Sequence, residues 1–152
     1  MNLVARTNAK VVSAGVAAGT TKISASLIDM QGWDGVYFIF LFGALTASQV
    51  TTPQVFGGQQ SGGGDQAQLP SAVANALADG NSNTAVIIDV YRPSQRYLGA
   101  VVTRGTANAV LQGIIAVQYQ GRRQPPASTA DGATPYSGID ASIVQALVAA
   151  DT

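Results

Sequence analysis

Residues 36–45 read VYFIFLFGAL, the one strongly apolar run in the chain and the stretch that decides its fold. The run is bounded by Asp34 and Thr46, so it is much shorter than the roughly 20 residues that span a bilayer as a helix. Its aromatic and β-branched residues are typical of a strand. A strand covered on both faces shows no alternation of polar and apolar residues. We therefore predict a central β-strand and not a membrane segment.

Shorter apolar runs lie on both sides of this strand, between clusters of Gly, Pro, Asn and Ser. None of them keeps a helical period over three or four turns, so the chain is predicted to be mostly β. The expected strands are 10–13, 22–28, 36–44, 54–57, 84–91, 96–104 and 110–120, with a further one over 139–148. At 152 residues the chain has the length of one domain. We therefore expect residues 1–152 to form a single antiparallel β-sandwich or barrel.

Three segments do not fit a series of tight hairpins. Residues 1–20, with AGVAAGTT (14–21) as the flexible part, are interpreted as an extended arm, with further strands and loops as an equal alternative. Residues 56–83 are expected to form a long loop that includes a short helix from Pro70 to Gly80. The loop is not predicted to hold phosphate, because SGGGDQAQ lacks a Lys followed by Ser or Thr. Residues 124–152 are rich in Gly and Pro and are expected to drape over a surface.

The residue types present exclude many catalytic sites. The chain has no Cys and no His, and every acidic residue is an Asp. Thiolate nucleophiles, cysteine zinc sites and the commonest general base are therefore excluded. We expect no enzyme, no cofactor and no metal, because no nucleophile–base pair is recognisable. A spatial pair among Asp29, Asp34 and Asp140 for glycoside hydrolysis stays an open alternative.

The chain also carries few charges. Its formal net charge is zero and its pI is near 6, which argues against a nucleic-acid binder. Charged residues make up 11% of the chain, against about 25% in ordinary soluble domains. Two interpretations stay open: neighbours in an assembly cover much of the surface, or the surface is polar but uncharged. The N-terminal sequence MNLVARTNAKVV lacks the apolar stretch of a signal peptide.

Four charged side chains interrupt the apolar sequence IIDVYRPSQRYLGAVVTRG at residues 87–105. They are Asp89, Arg92, Arg96 and Arg104. If the two strands form a hairpin, a four-residue loop at 92–95 brings Arg96 within diagonal reach of Asp89, whereas a three-residue loop turns Arg96 to the other face. An unpaired carboxylate on a half-buried strand is costly, which favours the four-residue loop. We interpret the four residues as a structural ion-pair cluster, with Arg92 and Arg104 as alternative partners of Asp89.

Two stretches, SLIDMQGWDGVYFIFLFGAL and VIIDVYRPSQRYLGAVVTRGTANAVLQGIIAVQYQGRRQPP, also carry a resemblance to a known family. The chain is similar, over residues 23–45 and 84–126, to small tailed-bacteriophage virion proteins whose genes lie near that of the major capsid protein. The matching positions are Asp34, Gly35, Asp89, Arg92, Pro93, Arg96, Tyr97, Arg104, Gly105, Tyr119, Gly121, Arg122 and Pro125. Residues 46–83 depart from the family pattern, because a Gly- and Gln-rich loop stands in place of a more acidic one.

The resemblance implies a capsid decoration, or cement, protein with a jelly-roll-like sandwich of seven or eight strands. Such a protein binds the outside of the assembled phage head, and it is found in the host cytoplasm during assembly. Its expected partners are the major capsid protein and neighbouring copies of itself, as a dimer or trimer. Neither a membrane nor nucleic acid is an expected partner.

The sequence also offers candidate partner contacts and two other functions. The candidate contacts are Arg6, Lys10, Arg122, Arg123 and Tyr136. Adjacent arginines at a strand end are typical of the rim of a protein interface. One alternative function is a head-completion or neck protein, which forms one ring per particle. The other is a carbohydrate-binding module, whose exposed aromatic residues would be Trp33, Tyr91, Tyr97 and Tyr136.

Overall fold

The computed structural model describes residues 6–122, and these form ten β-strands and one short 3₁₀ helix. The strands are β1 (Asn8–Ser13), β2 (Val16–Gly19), β3 (Ile23–Ser24), β4 (Ile28–Asp29), β5 (Trp33–Leu45), β6 (Val50–Gly58), β7 (Ala67–Val73), β8 (Ala85–Tyr91), β9 (Tyr97–Gly105) and β10 (Ala109–Gly121). The 3₁₀ helix is Asp79–Asn81. Within the described range, no helix is long and apolar enough to cross a membrane.

The strands form two antiparallel sheets. The first has the order β1-β10-β5-β8, with β2 also bonded to β10, and the second has the order β3-β9-β6-β7, with β4 also bonded to β9. β1 and β2 follow one another along one edge of β10, and β3 and β4 do the same along β9. Counting each of these pairs as one interrupted strand gives eight strands in two layers, the architecture of a jelly roll. The expected antiparallel sandwich is confirmed.

The core lies between the two sheets and is centred on β5. This strand lies between β10 and β8, as the apolar run predicts. Its residues Phe38, Phe40 and Phe42 are at most 1% exposed, and they pack with Leu98 and Val102 of the second sheet. Successive residues of a strand point to opposite faces. Residues 35, 37, 39 and 41 of β5 therefore lie on the outer face of the first sheet, whereas the irregular register after Phe42 turns Leu45 back into the core.

Strands β8 and β9 do not form the predicted hairpin. β8 is bonded to β5 in the first sheet, whereas β9 is bonded to β6 in the second. The connection at residues 92–96 therefore carries the chain from one layer to the other. Arg92 adopts a left-handed φ of 49° and is followed by Pro93, which places a sharp bend directly after β8. Asp89 consequently lies in the first sheet, whereas Arg96 directly precedes β9 of the second, whichever length is assigned to the loop.

Two further predictions are corrected. Residues 8–19 form β1 and β2 and not an extended arm. Residues 67–73, at the predicted helix start, form the edge strand β7, because hydrogen bonding to β6 outweighs a weak helix signal. Pro70 is tolerated there, since an edge strand does not need every N–H group for pairing. The predicted strand 139–148 and the tail 124–152 lie outside the described residues, and the single-domain organisation of the chain stays a prediction.

Candidate interaction surfaces

The outer face of the first sheet is apolar. The strand register aligns Val11, Ile115, Ile39 and Ile87 in one row across all four strands. The neighbouring rows add more aromatic and aliphatic side chains. We call this surface the apolar face, and its members are Val11, Tyr37, Ile39, Leu41, Ile87, Tyr91, Ile115, Val117 and Tyr119.

Several members of the apolar face are well exposed. Ile87 is 62% exposed, Tyr91 51% and Val11 37%. An antiparallel sheet that faces water normally carries polar residues on that side. Among the outward positions of β5, β8 and β10, all within the described range, Asp89 is the one charged residue. A contiguous exposed apolar surface of this kind is typical of a protein interface.

The outer face of the second sheet differs from the apolar face. Gln54 Nε2 donates a 2.6 Å hydrogen bond to Thr103 Oγ1 there, so neighbouring strands are linked by polar side chains. The loop that follows β6 is closed by Asp65, whose carboxylate accepts hydrogen bonds from the N–H groups of Gln59 and Gln60 at 2.7 and 3.1 Å. The first of these bonds is the largest cause that holds the pKa of Asp65 below its ordinary value. Val50 and Val73 of the second sheet are exposed as well, at 48% and 37%, but the apolar face carries Ile87 at 62% and Tyr91 at 51%. The apolar face is therefore the stronger candidate for contact with a protein partner.

An aromatic cluster with one carboxylate lies on the apolar face. Tyr119 Oη donates a 2.7 Å hydrogen bond to Asp89 Oδ1. The Tyr119 ring is stacked on Tyr91, with centroids 6.4 Å apart, and tilted against Tyr37 at 6.2 Å. Burial first, and then the bond to Asp89, raise the pKa of Tyr119 well above its ordinary value. Asp89 thus has a tyrosine partner in place of the predicted arginine.

Gly35 allows this arrangement. It lies on β5 directly between Tyr119 and Tyr91 in the register. A Cβ atom at this position would overlap the Tyr119 ring. Sequence reasoning missed the pairing of Tyr119 with Asp89. The available signal was a glycine next to a long apolar strand, since glycine in a strand often marks the close approach of another group.

The second surface is an open cleft of about 610 Å³ at one end of the sandwich. We call it the arginine cleft. Its walls are the β4–β5 turn, the start of β5, the 92–96 connection and the residue that follows β10. The lining residues are Met30, Gln31, Gly32, Trp33, Asp34, Gln59, Arg92, Pro93, Ser94, Gln95, Arg96 and Arg122.

Two arginines of the cleft are held by aspartates. Arg96 binds Asp29 through two nitrogens, at 3.0 and 2.9 Å, and also donates to Gln31 Oε1 at 2.5 Å. The hydrogen bond from Arg96 is the largest cause that lowers the pKa of Asp29. Arg122 Nε donates to Asp34 Oδ1 at 3.1 Å. The partner of Arg96 is therefore Asp29, on β4 of the second sheet, and the predicted pair with Asp89 is wrong.

Arg104 has a separate structural role. It lies on β9, is 7% exposed, and bonds to backbone carbonyls alone. Nη1 donates to Ala17 O at 3.0 Å and Ala109 O at 2.7 Å, both in the first sheet, while Nε donates to Thr21 O at 2.7 Å. Arg104 thus connects the two sheets by hydrogen bonds at one edge of the sandwich. The four charged residues of 87–105 do not form one cluster.

The other sequence candidates are distributed over the surface. Arg6 is exposed just before β1, Lys10 is half-buried within β1, and Arg122 lies at the arginine cleft. Arg123 and Tyr136 lie outside the described residues. Trp33 packs partly against the core, and the Tyr97 ring lies 5.1 Å from the Arg96 guanidinium. Among residues 6–122, no group of three acidic side chains is placed to hold a metal ion.

Comparisons with known proteins give loose structural similarities. The sequence matches no protein-family model and no curated protein. The crystal structure of the SPBc2 prophage-derived protein YomS has a TM-score of 0.42 and 6% identity, over 75% of this chain and 95% of YomS. Structures of infectious bursal disease virus strains Gt and Gx both have TM-scores of 0.45, with 13% and 12% identity, over 79% of this chain. This chain covers 34% of each viral chain, about a third of its length.

Proposed function

We propose that the protein is a structural component of a bacteriophage particle, which binds the outside of the assembled capsid and stabilises it as a cement protein. The observation that carries the proposal is the apolar face. A surface on which Ile87 is 62% and Tyr91 51% exposed leaves apolar area in water that a neighbouring protein would cover. Removal of such area from water contributes about 25 cal/mol per Å², from which the costs of association and ordering are subtracted.

The resemblance to phage virion proteins supports the phage setting. Its matching positions lie mainly at the two surfaces described above. Gly35, Asp89 and Tyr119 build the aromatic cluster of the apolar face. Arg92, Pro93, Arg96 and Arg122 line the arginine cleft, together with Asp34. Residues placed in this way suit binding to other proteins, and the proposed role is not catalytic.

The proposed partners are the major capsid protein and neighbouring copies of this chain. An interface of ordinary size, about 800 Å² per partner, is sufficient when many identical copies act together. A protein that binds the assembled lattice and not its dissociated subunits stabilises the lattice by mass action. The rigid two-layer sandwich also keeps the entropic cost of binding low.

Particles assembled without the gene test this function. We expect them to release DNA at a lower temperature than wild-type particles, and addition of the purified protein to restore the wild-type release temperature. An Ile87→Asp variant, which places a charge on the apolar face, should bind less and restore less. Unchanged stability of the shell without the protein would contradict a cement role. Defective tail attachment with a normal shell would indicate a neck protein instead.

A further inference from the structure

The arginine cleft contains guanidinium groups with unused hydrogen-bond donors. Within residues 6–122, the Arg92 guanidinium has no carboxylate partner and lies 5.2 Å from the centroid of the Tyr91 ring. The Arg122 side chain is 73% exposed, and within the same range its guanidinium bonds to Asp34 through Nε, with no partner there for its terminal nitrogens. A guanidinium carries five N–H donors and no acceptor. The cleft therefore offers donors to a ligand that supplies acceptors.

Backbone bonds fix these arginines before any ligand arrives. The N–H of Arg92 donates to Asp34 O at 2.7 Å, and the N–H of Arg122 donates to Gly32 O at 2.8 Å. Both arginines are thus anchored to the same short segment at the start of β5. Arg92 also keeps a left-handed φ of 49°, a conformation that is unfavourable for a residue with a side chain. These bonds fix the backbone at both arginines, and the Nε bond to Asp34 also orients the Arg122 guanidinium, which lowers the entropic cost of binding in part.

The charges of the cleft fit one anionic group and not a polyanion. Among the described residues 6–122, three arginines lie beside Asp29 and Asp34, which leaves a balance of one positive charge. The two carboxylates would repel a phosphate backbone, and nucleic-acid binders have broad basic surfaces. A single carboxylate matches a guanidinium in two parallel hydrogen bonds. Trp33 and Pro93 add apolar walls that suit the stem of an amino-acid side chain.

We infer that the arginine cleft binds an aspartate or glutamate side chain, or a chain-terminal carboxylate, of a neighbouring protein in the capsid shell. The inference rests on the proposed function, because it names the chemistry by which the shell is recognised. Arg92 supplies the principal donors, and Arg122 adds its terminal nitrogens. Asp29 and Asp34 hold Arg96 and Arg122 in place.

Binding of the purified protein to shells assembled without it tests the inference. We expect Arg92→Gln to weaken binding about tenfold at low ionic strength, the usual effect of losing a hydrogen bond to a charged group. The difference from wild type should shrink at high ionic strength, because salt screens exposed charges. Lys22→Gln is the matched control. It removes the same charge on the second sheet, where Lys22 lies 5.0 Å from the Phe56 ring centroid.

Neutralising the carboxylates of the shell with a carbodiimide and glycinamide identifies the ligand group. The treatment should weaken binding of the wild-type protein and leave that of Arg92→Gln nearly unchanged, because the pair is already broken in the variant. Wild-type affinity in Arg92→Gln, or an equal effect of the treatment on both proteins, would overturn the inference and leave the proposed function standing. Shells that do not bind even the wild-type protein would overturn both.

Discussion

Tyr119 reaches across a whole strand to donate its 2.7 Å hydrogen bond to Asp89. Tyr119 lies on β10 and Asp89 on β8, with β5 between them. The ring passes over Gly35, the position on β5 where a Cβ atom would overlap it. The one charge at the outward positions of β5, β8 and β10 is therefore satisfied within the chain. A partner that covers this face gains apolar area without leaving a carboxylate unpaired.

Gly35→Ala should destabilise the fold because the new methyl group displaces the Tyr119 ring. We expect the free energy of unfolding to fall by about 1–3 kcal/mol, the usual cost of an overpacked site. Urea unfolding followed by tryptophan fluorescence measures the change. Gly62→Ala is the control, since a Cβ atom there meets nothing within 4 Å. Equal effects of the two substitutions would contradict the role assigned to Gly35.

Tyr119→Phe removes the hydroxyl and should lower the free energy of unfolding by about 0.5–1.5 kcal/mol near neutral pH. The raised pKa of Tyr119 also predicts a pH dependence. The folded state keeps this proton at pH values where an unfolded tyrosine, with a pKa of about 10, loses it. The protonated Tyr119 hydroxyl thus makes its full contribution to the free energy of unfolding below about pH 10. This contribution is lost as the pH rises towards the folded-state pKa. Stability curves from pH 8 to 11 should decline less steeply for Tyr119→Phe than for wild type, and parallel curves would argue against this pairing.

Arg104→Met should be the most destabilising of these changes. It removes the guanidinium that donates hydrogen bonds to three backbone carbonyls, those of Ala17, Thr21 and Ala109. The bond to Ala109 is buried, whereas those to Ala17 and Thr21 are partly buried. An unsatisfied buried carbonyl costs about 1–3 kcal/mol and a carbonyl within reach of water costs less, so we expect a total loss of at least about 2 kcal/mol. Lys22→Met, at an exposed cation over Phe56, should cost at most about 1 kcal/mol. Chemical denaturation of both variants decides whether Arg104 ties the sheets together.

Asp29→Asn should reduce the dependence of stability on acid. The pKa of Asp29 is lowered in the folded state, chiefly by the hydrogen bond from Arg96. Its stabilising contribution is therefore present above the unfolded pKa of about 3.9 and is lost as the pH falls through the lower folded-state pKa. Thermal unfolding between pH 2 and 6 should show a flatter acid limb for Asp29→Asn and for Arg96→Gln. If only one of the two variants shows the flatter acid limb, the ion pair between Asp29 and Arg96 is not the cause of the acid dependence.

Much of the fold could be predicted from the sequence because it depends on local patterns. The apolar run at 36–45 identifies the central strand, which lies between β10 and β8. Clusters that contain Gly and Pro mark the ends of most other strands. The assignment of strands to sheets is not local, since a turn such as RPSQ is compatible with a hairpin or with a crossing between layers. That ambiguity produced the incorrect hairpin.

The candidate sites were less predictable because their partners are distant in the sequence. Arg96 and Asp29 are 67 residues apart, and Tyr119 and Asp89 are 30 apart. No spacing rule in a single sequence joins such residues. The ion-pair prediction looked for a partner of Asp89 in the neighbouring strand. The low charge content agrees with the apolar face, whose outward positions on β5, β8 and β10 carry one charged residue, Asp89.

The number of copies of this protein per purified virion tests the central claim most directly. Quantitative mass spectrometry against the major capsid protein provides that ratio. A cement protein should be present in numbers comparable to the major capsid protein, because it binds repeated sites across the shell. A ring-sized number would contradict shell-wide binding and favour a neck position, and absence from the particle would contradict a virion role altogether.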